Sequence, residues 1–473
     1  MSKIDNDVYF GITPLTNNER IYGYWDIVLA TGAWAIATWC YVQGGTIASL
    51  LGFKEAITGT FFGMTLAGVI IYLCVIIPTR YGIDIWIYLR ALLGHLGLSI
   101  FALIYIGGQF GYYSINAEIY ANSVMTLSET SGFTIPGSWK SLIAITCVLF
   151  GTFIALKGPF AVRTSTRIMV PSLLIIGIII VISVFTQYSI SDLMAITPPD
   201  EGAYGDKQTS YMLVMEWNIA YILAWFGALG VLARLVKTER ASYWGHMTGF
   251  SVIMAAFICI GIVTTLAMYA TTGVVTDDPT EWLIELGGPG FGVISLIFIL
   301  IANITTQAVG LYSFAVSSKV IFPKLKFKTV TIVWAAWVSL LILWGGIWEY
   351  YEMFLAVIGA TAGSVVALLI ADFYVVRKQR FSMRALYKIK GNDAYTYTKG
   401  FNIPAWISFF IGIAVYFLVY DPMNGVPRSE IFLYTTATGL TMVTSAVVYI
   451  LLSQITPIRN YVLADREQHE RKK

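Results

Sequence analysis

Twelve apolar runs, each near the length of about 20 residues that crosses a bilayer as a helix, leave this sequence little choice of fold. They cover 24–50, 57–79, 96–127, 141–157, 168–188, 211–233, 247–271, 291–316, 329–347, 352–375, 402–420 and 431–453. Inside lipid every backbone polar group needs an internal partner, so such runs predict helices. Only 12% of the residues are charged, against roughly 25% in a soluble protein. The expectation is an all-α integral membrane protein with 12 transmembrane helices.

The basic residues test that count. With the N-terminus inside and the loops alternating, 26 of the 30 Lys and Arg fall on the inner side. Only Lys54, Lys140, Lys207 and Arg428 fall outside. This bias follows the positive-inside rule, and one missed helix would scramble it downstream. It predicts a multi-pass protein of the cell membrane with both termini cytoplasmic: an N-terminal tail over 1–23 and a C-terminal tail over 454–473. The net charge of +3 suggests no nucleic-acid partner. Cys40, Cys74, Cys147 and Cys259 lie in apolar runs without disulfide or metal spacing. No metal-protease helix, nucleophile elbow or phosphate-loop motif occurs, which argues against an enzyme.

Twelve spans without a large soluble domain suggest a transporter. The stretch 26–45 (DIVLATGAWAIATWCYVQGG) does not read as a plain helix. Its small residues suit an unwound turn, which survives at membrane depth only where it lines a cavity. The sixth run echoes it, with Gly227 and Gly230 near an aromatic-rich middle. Runs one to five and six to ten are odd-numbered sets, so a repeat between 24–190 and 191–375 would be inverted. Paired interrupted helices at matching places in two halves point to a midplane site.

Polar residues inside the runs are the candidates for chemistry. Asn303, Thr305, Thr306 and Gln307 form one cluster. Their oxygens suit a hard cation, or else hydrogen bonds between and within helices. Gln109, Tyr112, Tyr113, Asn116 and Glu118 must face the protein interior. Gln109 and Tyr113, four apart, share a helix face. Trp225 suits stacking on a flat ring or plain packing. Glu118 and Glu216 are possible proton carriers, or residues near the outer interface. Asp26 and Asp372 sit near inner helix ends, where capping or topology explains them, and the glycine-rich 287–292 reads as a helix start.

Residues 370–406 (IADFYVVRKQRFSMRALYKIKGNDAYTYTKGFNIPAW) carry an Asp-aromatic-aromatic step, a basic cluster, Leu386-Tyr387, Tyr395, Tyr397, Gly400 and Asn402. This pattern resembles the segment joining the tenth and eleventh helices of the nucleobase:cation symporter-1 family. Arg80-Tyr81-Gly82-Ile83, Gly158, Arg167 and Pro171 are similar too, and the likeness spans roughly 20–420. The resemblance implies a leucine-transporter-type 5+5 inverted repeat plus two C-terminal helices, here 376–453 with a basic cytoplasmic loop. It implies a sodium site made by the carbonyls of Ala33, Ile36 and Ala302 and the hydroxyls of Thr305 and Thr306. The substrate set it implies is Trp225, Gln109, Tyr113, Tyr112, Gln307, Ala224 and Trp34. An Asn that family members carrying hydantoin present later in the eighth helix has no equivalent near Gly310-Leu311.

The expected function is therefore sodium-coupled import of a nucleobase or related planar nitrogen heterocycle by alternating access, from a monomer in a lipid bilayer. Proton coupling of the same substrates, or an amino-acid or amine carrier of the same fold, is the alternative. A membrane enzyme or channel lacks a nucleophile set, a metal cluster or a pore-lining charge ring to support it.

Overall fold

The computed structural model describes residues 13–387 and 395–464. The ends of both expected tails, 1–12 and 465–473, and part of the basic loop, 388–394, lie outside the described residues.

The first run is two 12-residue helices, α1 (Tyr24–Ala35) and α2 (Trp39–Leu50). The backbone ladder ends where the Ile36 N–H donates to Gly32 (2.9 Å) and restarts where Cys40 donates to Ala37 (3.0 Å). Ile36 itself leaves helical geometry at φ −88°, ψ 78°. Among the described residues no backbone N–H reaches the carbonyls of Trp34 or Ile36, and that of Ala35 is taken by the Cys40 thiol at 2.9 Å.

The chain continues through α3 (Phe53–Tyr81), a short buried α4 (Ile85–Leu93) and the 36-residue α5 (His95–Thr130). Then come α6 (Lys140–Leu156) and α7 (Pro159–Gln187). The sixth run is broken as well: α8 (Lys207–Leu223) meets α9 (Phe226–Ala233) at 43°. After α10 (Glu239–Thr272), α11 (Pro279–Ile321) begins twelve residues before the expected 291, capped by the Asp278 carboxylate on the Thr280 N–H. The last helices are α12 (Phe327–Trp344), α13 (Tyr351–Val376), α14 (Ile403–Val419), α15 (Ala437–Leu452) and α16 (Thr456–Val462). The expected C-terminal tail thus begins as a helix, whose Val462 carbonyl accepts from Arg377.

Among the described residues eight helices are long and apolar enough to cross a membrane, or ten if each bent pair counts once. The first run misses that test because it is split, and α14 because it has 17 residues. Large apolar side chains face outward along these helices, such as Leu149 at 62% and Leu343 at 59% exposure. A surface of that kind belongs in lipid.

Two sets of helices pack internally. One joins α1, α2, α3, α8 and α10. Close backbone approach decides it: a Cβ on Gly44 would lie 2.2 Å from the Ile258 carbonyl of α10. The other set joins α5, α6, α7, α11 and α12. Behind the first set, α13 and α15 hold α8. There the Glu216 carboxylate accepts from Thr438 N–H (2.9 Å), Thr438 hydroxyl (2.5 Å) and Tyr416 hydroxyl (3.0 Å). Glu216 is therefore a hydrogen-bonded structural group.

Asp26 caps α1 as expected, accepting from the Gly23 N–H at 2.8 Å. Asp372 does not cap a helix. It lies in a π-helical turn, Ala371–Val376, fully buried against Arg377 at 2.8 Å. The hydroxyls of Tyr88 (2.8 Å) and Tyr449 (2.7 Å) also donate to it. A buried carboxylate needs this company, because a charge cannot stay in an apolar interior unpaired.

Candidate functional site

Both helix breaks open on one cavity between the two helix sets. The first set contributes Trp34, Ala37 and Trp39, and the break before α9 and α9 itself contribute Trp225, Ala228 and Val231. The second faces them with Tyr113 from α5 and Thr306, Val309, Ser313, Phe314 and Ser317 from α11. No charged side chain is among these lining residues.

The aromatic rings stand close together. Trp225 lies 5.6 Å from Trp39 and 6.1 Å from Trp34 between ring centroids. Its remaining neighbour is Phe250 of α10, stacked at 5.5 Å and 27°. Phe250 reaches it from a π-helical stretch, Met247–Ile253, a departure from α-geometry that often marks functional places. About 30 Å³ of the cavity admits the centre of a water molecule, within about 490 Å³ free of atoms. That is room for about two waters. A planar ligand has to part the rings to enter.

The break in the sixth run is clipped from outside it. The Tyr105 hydroxyl of α5 donates to the Ala224 carbonyl (2.6 Å) and accepts from the Gly227 N–H (3.1 Å). The Trp86 indole of α4 donates to the Gly227 carbonyl at 3.1 Å. These bonds satisfy backbone groups that the broken ladder would otherwise leave unpaired at membrane depth.

The break in the first run is tied to α11. The Thr38 hydroxyl donates to the Asn303 side-chain oxygen (2.8 Å), and the Asn116 amide donates to the Asn303 carbonyl (2.9 Å). Asn303 is the neighbour of Ala302. The Thr305 hydroxyl donates to the Ile301 carbonyl at 2.9 Å, which leaves its oxygen lone pairs as possible cation ligands. Thr306 lines the cavity. Ile36 lies at the break.

Of the substrate residues expected from sequence, the cavity gathers Trp34, Tyr113 and Trp225. Ala224 stands next to it with its carbonyl engaged by Tyr105. Three others do not line it. Gln307 packs against α6, where a Cβ on Gly151 would meet its Cβ and Cγ at 2.7 Å. Tyr112 turns towards Tyr221 (5.5 Å) and Phe354 (4.8 Å). Gln109 is buried outside the lining.

Sequence reasoning missed Trp39, Phe314, Ser313, Ser317, Tyr105 and Phe250. A signal existed for the serines: Thr306, Val309, Ser313 and Ser317 follow the 3,4,4 spacing of one helix face. None existed for Phe250, whose direction depends on the π-turn. Gly310 explains the missing polar group on α11. A Cβ there would lie 1.9 Å from the Tyr113 ring, so Tyr113 occupies the space a side chain at 310 would need.

Broken membrane helices around a small aromatic cavity are the build of a transporter. Residues 14–453 match the family model described as "Permease for cytosine/purines, uracil, thiamine, allantoin", and the chain belongs to that family. It is similar to the hydantoin permease of Microbacterium maritypicum, 24% identical over 87% of this chain and 84% of that one. It also resembles the allantoin permease of Bacillus subtilis, 27% identical over 47% of this chain and 45% of that one. Among solved structures it is similar to a nucleobase-cation-symport-1 family transporter, closed with bromovinylhydantoin bound. That likeness has a TM-score of 0.75 at 20% identity, covering 96% of this chain and 95% of that one. The inward-facing conformation of the same transporter gives 0.77 at 20% identity, covering 94% and 92%.

Proposed function

We propose that this protein is a sodium-coupled symporter that imports a small, neutral, planar nitrogen heterocycle carrying ring carbonyls. One observation carries the reading: the two helix breaks meet at an uncharged aromatic cavity between the two helix sets. Trp34, Trp39, Trp225 and Tyr113 offer faces for stacking. The buried indole N–H groups of Trp39 and Trp225 have no acceptor among the described residues. A ligand with ring carbonyls, as in a hydantoin, uracil or allantoin, supplies the acceptors those donors lack. A zwitterionic amino acid would find no charged partner in the lining.

Sodium would sit between α1 and α11, held by the carbonyls of Ala33, Ile36 and Ala302 and the hydroxyls of Thr305 and Thr306. Released carbonyls at a broken helix are suitable hard-cation ligands. Bridging the two helix sets, the ion would favour the conformation that binds substrate, and the coupling would be reciprocal. The twelve helical segments are read as spans, with 24–190 and 191–375 as inverted repeats, 376–453 as two added helices and both termini cytoplasmic. We take the working unit to be a monomer.

Proteoliposome uptake tests this reading. Nucleobases, hydantoins and allantoin are offered with sodium inside, outside or replaced by potassium. Uptake of one of them driven by an inward sodium gradient is expected, and Thr305→Ala or Thr306→Ala should raise the sodium concentration required. A second reading, proton coupling, draws on Glu118, buried in α5 with one carboxylate oxygen unpartnered among the described residues. Sodium-independent uptake driven by a pH gradient and lost in Glu118→Gln would favour it.

A further inference from the structure

At the end of the molecule where α1 begins lies a second cavity of about 590 Å³, far from the aromatic one in both place and chemistry. Asn17, Arg20, Thr79, Arg80, Lys237, Thr238 and Glu239 line it. Its one carboxylate is already matched. Arg80 donates to Glu239 through Nε (2.6 Å) and Nη2 (2.9 Å), a bidentate pair.

Two cations remain. Arg20 is held in place by a bond from its Nη2 to the Arg80 carbonyl (3.0 Å), and its buried Nε has no partner among the described residues. Lys237 is exposed at the cavity and forms no ion pair there among the described residues. The backbone fixes the two relative to each other. The Tyr22 N–H donates to the Leu235 carbonyl, and the Lys237 N–H donates to the Tyr22 carbonyl, both at 2.9 Å. Arg20 and Lys237 are thus presented on adjacent, bridged strands of backbone rather than on independent mobile tails.

The surroundings belong to a membrane boundary. Ile21, next to Arg20, is 63% exposed, and Trp25 one turn on is 69% exposed. Trp244, on the helix that follows Lys237, is exposed too. Exposed tryptophans beside a basic pocket mark the headgroup level of a bilayer. Basic pockets between transmembrane helices at that level receive anionic headgroups.

We propose that this cavity binds the headgroup of an anionic phospholipid, with the phosphodiester held by Arg20 and Lys237 and the acyl chains lying along Ile21 and Trp25. The site joins the start of α1, the end of α3 and the α9–α10 junction. Its occupant therefore touches three elements of the helix set that carries Trp34 and Trp225.

The test uses full-length protein in detergent, with thermal unfolding and native mass spectrometry as readouts. Phosphatidylglycerol, phosphatidylcholine and inorganic phosphate are added separately. Phosphatidylglycerol should raise the unfolding midpoint and remain bound where phosphatidylcholine does not. In the double variant Arg20→Gln/Lys237→Gln its affinity should fall about 30-fold, two charges' worth of headgroup attraction. The single variant Lys237→Gln, at an exposed side chain, keeps the test valid if the double variant folds poorly, and should lose about fivefold. Lys324→Gln/Lys326→Gln, basic residues elsewhere, should retain full affinity. Unchanged affinity in Lys237→Gln, or equal stabilisation by phosphatidylcholine, overturns the proposal. Inorganic phosphate matching phosphatidylglycerol overturns the lipid assignment in favour of a free anion.

Discussion

The Tyr105 hydroxyl stands 2.6 Å from the Ala224 carbonyl and 3.1 Å from the Gly227 nitrogen, one side chain closing both sides of the break in the sixth run. Tyr105 stacks on Phe101 and packs against Trp86, so Tyr105→Phe keeps the ring and removes only the clip. Two buried backbone groups then lose their partner, at about 1–3 kcal/mol each. Thermal unfolding should shift down by several degrees and ligand affinity should drop, because Trp225 sits inside the clipped turn. Wild-type affinity in Tyr105→Phe would show that the turn holds itself.

Gly310 and Tyr113 form a matched pair of small and large. In Gly310→Ala the new methyl meets the Tyr113 ring at 1.9 Å, and the ring must leave its place on the cavity wall. Binding should weaken at least about tenfold while the fold persists, since overpacking costs about 1–3 kcal/mol. Adding Tyr113→Leu should relieve the clash and recover stability without restoring affinity. Calorimetric binding and unfolding midpoints separate the two effects.

Ligand entry should be visible in tryptophan fluorescence, because the rings of Trp34, Trp39 and Trp225 must separate to admit a planar molecule. A saturable change is expected with the transported heterocycle. Trp225→Ala should remove most of it and weaken binding at least about tenfold, in line with the 1–3 kcal/mol of base–aromatic stacking. Trp244→Phe, at an exposed side chain away from the cavity, should leave the signal intact.

The Asp372–Arg377 pair is a stability element away from the cavity, with neither side chain exposed. Asp372→Asn leaves Arg377 charged in an apolar interior, at about 3–5 kcal/mol. Unfolding should occur at markedly lower temperature. Asp372→Asn/Arg377→Met should recover part of the loss, since it removes the second charge as well.

Much of the fold was legible because lipid imposes a single rule. Apolar runs had to become helices, and among the described residues eight to ten are long and apolar enough to span, with α1 and α2 separating inside the small-residue stretch 26–45. Trp34 and Trp225 came from the family resemblance, and both line the cavity. Gln109 and Gln307 lie outside the cavity lining for a physical reason: a buried amide signals an interior face but not which interior, and Gln307 packs against Gly151. Tyr105 and Phe250 were invisible because their roles exist only through another helix. Asp372 looked like a helix cap because sequence position is silent about Tyr88, more than 280 residues away in the chain.

The break at Ile36 matters for coupling only if a cation uses its carbonyls. Equilibrium binding of the transported heterocycle, measured in sodium and again in potassium at equal ionic strength, decides this most directly. Affinity should be at least about tenfold higher in sodium, and Thr305→Ala should shift that gain to higher sodium concentration. Equal affinity in the two salts, with Thr305→Ala behaving as wild type, would contradict a sodium site between α1 and α11.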